Sequence, residues 1–72
     1  MTDNGTIKWF DRARGYGFIS DEVTGKDVFL HASTVDAYRI NDRMLEPGVP
    51  VRYSLLRDAQ RGPAADAVFI AY

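Results

Sequence analysis

The chain's 72 residues suit one small domain, spanning 1–72, near the lower limit for folding without staples. With no cysteine there is neither a disulfide nor a thiolate metal site, and 46% hydrophobic content argues against disorder. Nine Lys and Arg against ten Asp and Glu leave a net charge of −1, which argues against a purely electrostatic nucleic-acid binder.

Taken in order, Gly5 to Asp11 reads as a first strand, opened by glycine and rich in β-branched and aromatic residues. Strict alternation puts Ile7 and Trp9 on one face. If Ile7 is core, either Trp9 is partly buried or the strand carries a bulge. Arg12 to Gly15 connects to a second strand over residues 16–20, Asp21 to Gly25 is turn-like, and Lys26 to His31 is a third strand. These connections are too short for helices, so the three strands are expected to form an antiparallel meander.

A short helical turn capped by Ser33 or Thr34 is expected near 33–36, followed by a loop to Glu46-Pro47-Gly48. Val49 to Arg57 reads as a fourth strand, Asp58 to Pro63 as a turn, and Ala65 to Tyr72 as a fifth strand. Val68 and Ile70 share one face of the fifth strand and Phe69 takes the other. Tyr53, Phe69 and Tyr72 are expected to pack rather than bind. The fold class is therefore all-β, a small closed five-stranded antiparallel barrel that leaves no free sheet edges. No apolar run approaches the ~20 residues of a membrane span, and Met1 to Gly5 has no secretory signal character, so a cytoplasmic location is expected.

The functional signal lies in Arg14-Gly15-Tyr16-Gly17-Phe18-Ile19 and Val28-Phe29-Leu30-His31. Alternation puts Tyr16 and Phe18 on one face of the second strand, and Phe29 with His31 on one face of the third. If Ile19, Val28 and Leu30 face the core, these flat rings point at solvent. Burying an aromatic removes ~150–250 Å² from water, so a cluster held outside suggests a surface for stacking other flat groups. The bases of single-stranded nucleic acid are such groups. Lys8, Arg12 and Arg14 crowd beside the cluster, with Lys26 before the third strand, and most acids fall in turns. That is a basic, aromatic face with an acidic back, or else an ordinary solvated surface. Gly15 and Gly17 either admit close approach of a base or serve the bend of the barrel.

With these residues the chain resembles the bacterial cold-shock proteins, whose cold-shock domain is a form of the OB fold. Gly5 to Asp11 looks like the family's opening motif, the two ring-bearing stretches like its first and second ribonucleoprotein motifs, and Arg61-Gly62-Pro63-Ala64-Ala65 like its last loop. The resemblance implies binding of single-stranded RNA and DNA, with pyrimidine preference, and action as an RNA chaperone. By position it implies Trp9, Tyr16, Phe18, Phe29 and His31 as stacking residues, with Phe10 counted in the aromatic patch. It also implies Lys8, Arg14, Asp27 and Arg61 as polar or ionic contacts, and Tyr38 as a loop aromatic that reaches a further base. Two features depart from the family. Ala32 stands where members commonly have phenylalanine, which removes one platform, and the segment from Ala32 to Gly48 is slightly longer.

Three rival readings are weaker. An RRM needs two full helices and carries its second motif before its first, the reverse of the order here. An enzyme needs a nucleophile with a base, paired carboxylates or a metal site, and the one histidine already lies among rings. A protein-docking module remains open, since exposed apolar patches also serve that purpose. The chain is expected to act as a monomer, with no membrane, metal or cofactor involved.

Overall fold

Alternating apolar residues build five strands, β1 (Asp3–Asp11), β2 (Tyr16–Asp21), β3 (Asp27–His31), β4 (Pro50–Leu55) and β5 (Ala65–Ile70). The computed structural model describes residues 2–56 and 62–71. The strands pair antiparallel in one five-stranded sheet of order β3-β2-β1-β4-β5. Ile7, Ile19, Val28, Leu30, Val51 and Val68 line its inner face, each no more than 2% exposed. Burying an aliphatic side chain of this size contributes roughly 1.5–3 kcal/mol, so this face supplies most of the driving force for folding.

The conflict between Ile7 and Trp9 is resolved by a bulge. Ile7 pairs with Ile19, but Trp9 pairs with Phe18, so the register shifts at Lys8. One extra residue turns Trp9 to the outer face while Ile7 stays in the core. Gly17 makes the crossing possible, because it opposes Phe10 in the next row of the ladder. A Cβ at Gly17 would lie 2.6 Å from Phe10 Cα and 2.8 Å from its Cδ1, and closer still to the Trp9 carbonyl oxygen.

The expected closed barrel is corrected. The sheet curls, but its edges β3 and β5 share no ladder. They meet where the Phe29 N–H donates to the Pro63 carbonyl at 2.9 Å, beside an isolated parallel bridge from Phe29 to Ala64. Pro63 accepts but has no N–H to return, so this bridge cannot extend past it toward Gly62.

Between β3 and β4 the expected helical turn is a short helix, α1 (Ala32–Ala37), followed by a 3-10 turn at Asp42–Met44. The cap is His31 rather than Ser33 or Thr34. His31 ends β3 in extended conformation, and its Nδ1 accepts the Ser33 N–H at 3.1 Å. The 3-10 turn, read from sequence as loop, is capped in the same way by the Asn41 side chain, which accepts the Arg43 N–H at 3.0 Å. Val35 of α1 and Leu45 cover the end of the core. Among the described residues, no helix is long and apolar enough to cross a membrane.

Among the described residues, Tyr53 is the one core residue with a polar tip, and it is 1% exposed. Its hydroxyl donates to Asp21 Oδ2, while Oδ1 accepts the N–H groups of Val23 and Thr24, each at 2.9 Å. The Tyr53 hydroxyl, then the Thr24 N–H, hold the Asp21 carboxyl down from 3.8 to about 2. Burial, and then Asp21, push the Tyr53 phenol up. Because the folded carboxyl is the more acidic, its contribution is full above pH ~4 and is lost as pH falls through about 2. Urea denaturation between pH 5 and pH 2 should therefore show Tyr53→Phe less stable at pH 5 and flatter in its acid loss. Parallel pH profiles for the two proteins would disconnect Asp21 from Tyr53.

Candidate nucleic-acid interface

On the outer face of β1 to β3 the aromatic side chains form one connected cluster. Cross-strand pairing puts Trp9 beside Phe18, Phe18 beside Phe29, and Tyr16 beside His31. Trp9 meets Tyr16 and Phe18 edge-on, with ring centres 5.5 and 5.3 Å apart. Phe29 stacks on Tyr16 at 5.6 Å, meets Phe18 edge-on at 5.8 Å, and lies 6.2 Å from His31. Trp9, Tyr16, Phe18 and Phe29 are half-buried and His31 is exposed. Their bases are fixed by the sheet and by one another, so a flat ligand landing on them orders few further side-chain torsions. His31 is held as well, because its Nδ1 serves α1.

The charged neighbours are largely spoken for. Lys8 Nζ reaches over β2 to Asp27, 3.1 and 2.9 Å from its two carboxylate oxygens. Both partners are about half exposed, and a pair of that kind contributes at most ~1 kcal/mol. Arg14 lies 3.4 Å from Asp11 and remains 70% exposed. Arg12 is committed elsewhere: its guanidinium contacts Asp36 at 3.0 Å and Asp42 at 2.6 Å, tying the β1–β2 turn to the helical segment. The hydrogen bond to Asp36 raises the Arg12 pKa further above its ordinary value. Lys26 enters no ion pair among the described residues. The face is thus aromatic with locally balanced charge, not strongly basic.

Of the remaining sequence-derived candidates, Phe10 pairs with Gly17 and packs against the core from the end of β1. Tyr38 lies outside the cluster; it pairs edge-on with Phe69 of β5 at 5.1 Å. Arg61 lies outside the described residues, as does Tyr72. Ala32 opens α1, half-buried, with its N–H donating to the Gly15 carbonyl at 2.9 Å. Phe69, expected to pack, is 44% exposed. The signal for that exposure was present in the alternation, which sets Phe69 opposite Val68.

Comparison with known proteins adds an independent line. The chain matches the "Cold-shock" DNA-binding domain family over residues 3–71. It is 40% identical over 63 residues to cold shock protein CspA of Rhizobium meliloti, covering 88% of each chain. It is 41% identical over 63 residues to cold shock-like protein CspD of Escherichia coli K12, covering 85% of this chain and 74% of the relative. With cold shock protein ScoF of Streptomyces coelicolor the identity is 37% over 65 residues, covering 90% and 92%.

Proposed function

The chain belongs to the cold-shock domain family, a nucleic-acid-binding family, and from that premise we propose that it binds single-stranded RNA and DNA and acts as an RNA chaperone. The observation that carries this reading is the connected outer cluster of Trp9, Tyr16, Phe18, Phe29 and His31. Each base that stacks on such a ring gains roughly 1–3 kcal/mol. A duplex step is worth on average ~1.4 kcal/mol, so a few captured bases oppose a weak hairpin but not a long helix. Bases held on the rings are not free to pair, and no nucleotide hydrolysis is required. Pyrimidine-rich strands are the preferred ligands on this reading, as the resemblance to the cold-shock proteins implies. Transcription or translation is regulated, on this reading, through the structures that melt.

Lys8 and Asp27 have a defined part in it. Lys8 exchanges its weak pairing with Asp27 for a phosphate, and the freed Asp27 accepts from a base edge. Arg14 makes the same exchange from Asp11, and Lys26 and Arg61 complete the ionic set. The test is a set of isotherms with oligo-dT, its RNA counterpart and a duplex of equal length. Both single strands should bind well ahead of the duplex. With three or four phosphate contacts at about −0.7 each, log K against log salt should fall with a slope of about −2 to −3. Equal affinity for duplex and single strand, or a slope steeper than roughly −5, would mean that charge rather than stacking holds the ligand.

A further inference from the structure

The same curled sheet carries a second aromatic surface that the ring cluster does not use. On β5, Phe69 is 44% exposed; Tyr38 braces it edge-on and is itself 43% exposed. Arg52 of β4 is its cross-strand partner, and Arg52 in turn faces Asn4 of β1. Arg39 and Phe69 both line a groove of about 350 Å³, and Arg52 lines a second groove that Phe69 also lines. No acidic residue among those described lines either groove. Among the described residues Arg39 and Arg52 enter no ion pair, as Lys26 and Arg43 do not, whereas Lys8, Arg12 and Arg14 do.

The backbone gives an independent sign at Arg39. It follows α1 at φ 55, the one non-glycine residue with positive φ among those described. Its N–H donates to the Asp36 carbonyl and that of Ile40 to the Val35 carbonyl, each at 3.1 Å, which is the Schellman pattern. Glycine is the usual occupant of that position, because a side chain there is strained. Strain of this kind collects at ligand sites. Here it sets a long cation beside an exposed ring.

We infer that the Phe69 surface is a second contact site for a single strand already seated on the β1–β3 cluster, with a base stacked on Phe69 and phosphates held by Arg39 and Arg52. The inference rests on the function proposed above. Charge decides the occupant: exposed rings between two unpaired arginines suit an anionic strand better than another copy of a chain whose net charge is −1. The route is continuous, since β1 separates β2 from β4 and its exposed Asn4 and Thr6 lie between the two surfaces. OB folds engage about 4–16 nucleotides, so a short oligonucleotide fills the first surface and a long one reaches the second.

Binding of dT6 and dT16 by wild type, Phe69→Ala, Arg39→Gly and Arg52→Gln tests this. Phe69→Ala should weaken dT16 about 5–150-fold and leave dT6 unchanged. Arg39→Gly should weaken dT16 while its Tm does not fall, because glycine relieves the backbone. Losing both arginines should make the dT16 salt slope shallower by about 1.4. Equal effects of Phe69→Ala on both lengths, or none on either, would overturn the second site while dT6 binding upheld the first. If wild type binds neither oligonucleotide, the proposed function falls with it. Concentration-dependent dimers that Phe69→Ala abolishes, with dT16 affinity unchanged, would assign the surface to a second copy and overturn the inference.

Discussion

Gly17→Ala should cost at least about 3 kcal/mol of stability, a large part of what a domain this small possesses. The added methyl meets Phe10 Cα at 2.6 Å and Phe10 Cδ1 at 2.8 Å, with the Trp9 carbonyl nearer still. Two of these atoms belong to the β1 backbone, which is held in the ladder and has no rotamer to change. Relief therefore requires β1 and β2 to separate where the bulge turns Trp9 outward. Gly15→Ala provides the contrast. Gly15 has φ +80 and nothing within 4 Å of its would-be Cβ, so only local backbone strain of about 1–2 kcal/mol is expected. Urea denaturation of the two variants separates close packing from conformational cost. A Gly17→Ala loss no larger than that of Gly15→Ala would mean that the strands do not cross this tightly.

Phe29→Ala should weaken oligo-dT binding by roughly 1–3 kcal/mol, about 5–150-fold. Phe18→Ala should do likewise. Phe29 neighbours Tyr16, Phe18 and His31, so its removal also loosens the rings that remain. The double variant should accordingly lose less than the two single losses added together, as expected for groups in contact. Stability should change little, since both rings are only half-buried on the outer face. Isothermal titration on the three variants, with a urea melt of each, gives both quantities. Unfolded variants would mean that these rings belong to the core.

The face assignment was legible because a strand's side chains alternate and the aliphatic set Ile19, Val28 and Leu30 is unambiguous. At Trp9 the same rule failed locally and left a partly buried indole or a bulge as alternatives; the structure shows the register shift, with Trp9 half-buried. Other features depend on contacts that no local pattern encodes. Sheet closure turns on whether β5 pairs with β3, and their contact stops at the bridge from Phe29 to Ala64, between residues remote in sequence. Helix capping by His31 required a ring nitrogen at the end of a strand to meet the Ser33 N–H, where Ser33 and Thr34 are the more common cap types. Tyr38 could be placed on a loop, but its seat on Phe69 depends on how α1 packs against β5. Lys8 and Asp27 were both recognised, but their pairing follows from the register of three strands. Charge distribution left that face as either basic or an ordinary solvated surface, and the structure shows neighbouring acids balancing Lys8 and Arg14.

Trp9 is the sole tryptophan and stands in the ring cluster, so its fluorescence reports directly on whether bases stack there. In the free protein the half-exposed indole should emit to the red of a fully buried one. Titration with oligo-dT should quench that emission to saturation, while duplex of the same length leaves it nearly unchanged. Emission unmoved by oligo-dT, when binding is established by another method, would contradict stacking on this surface and return Trp9 to the core.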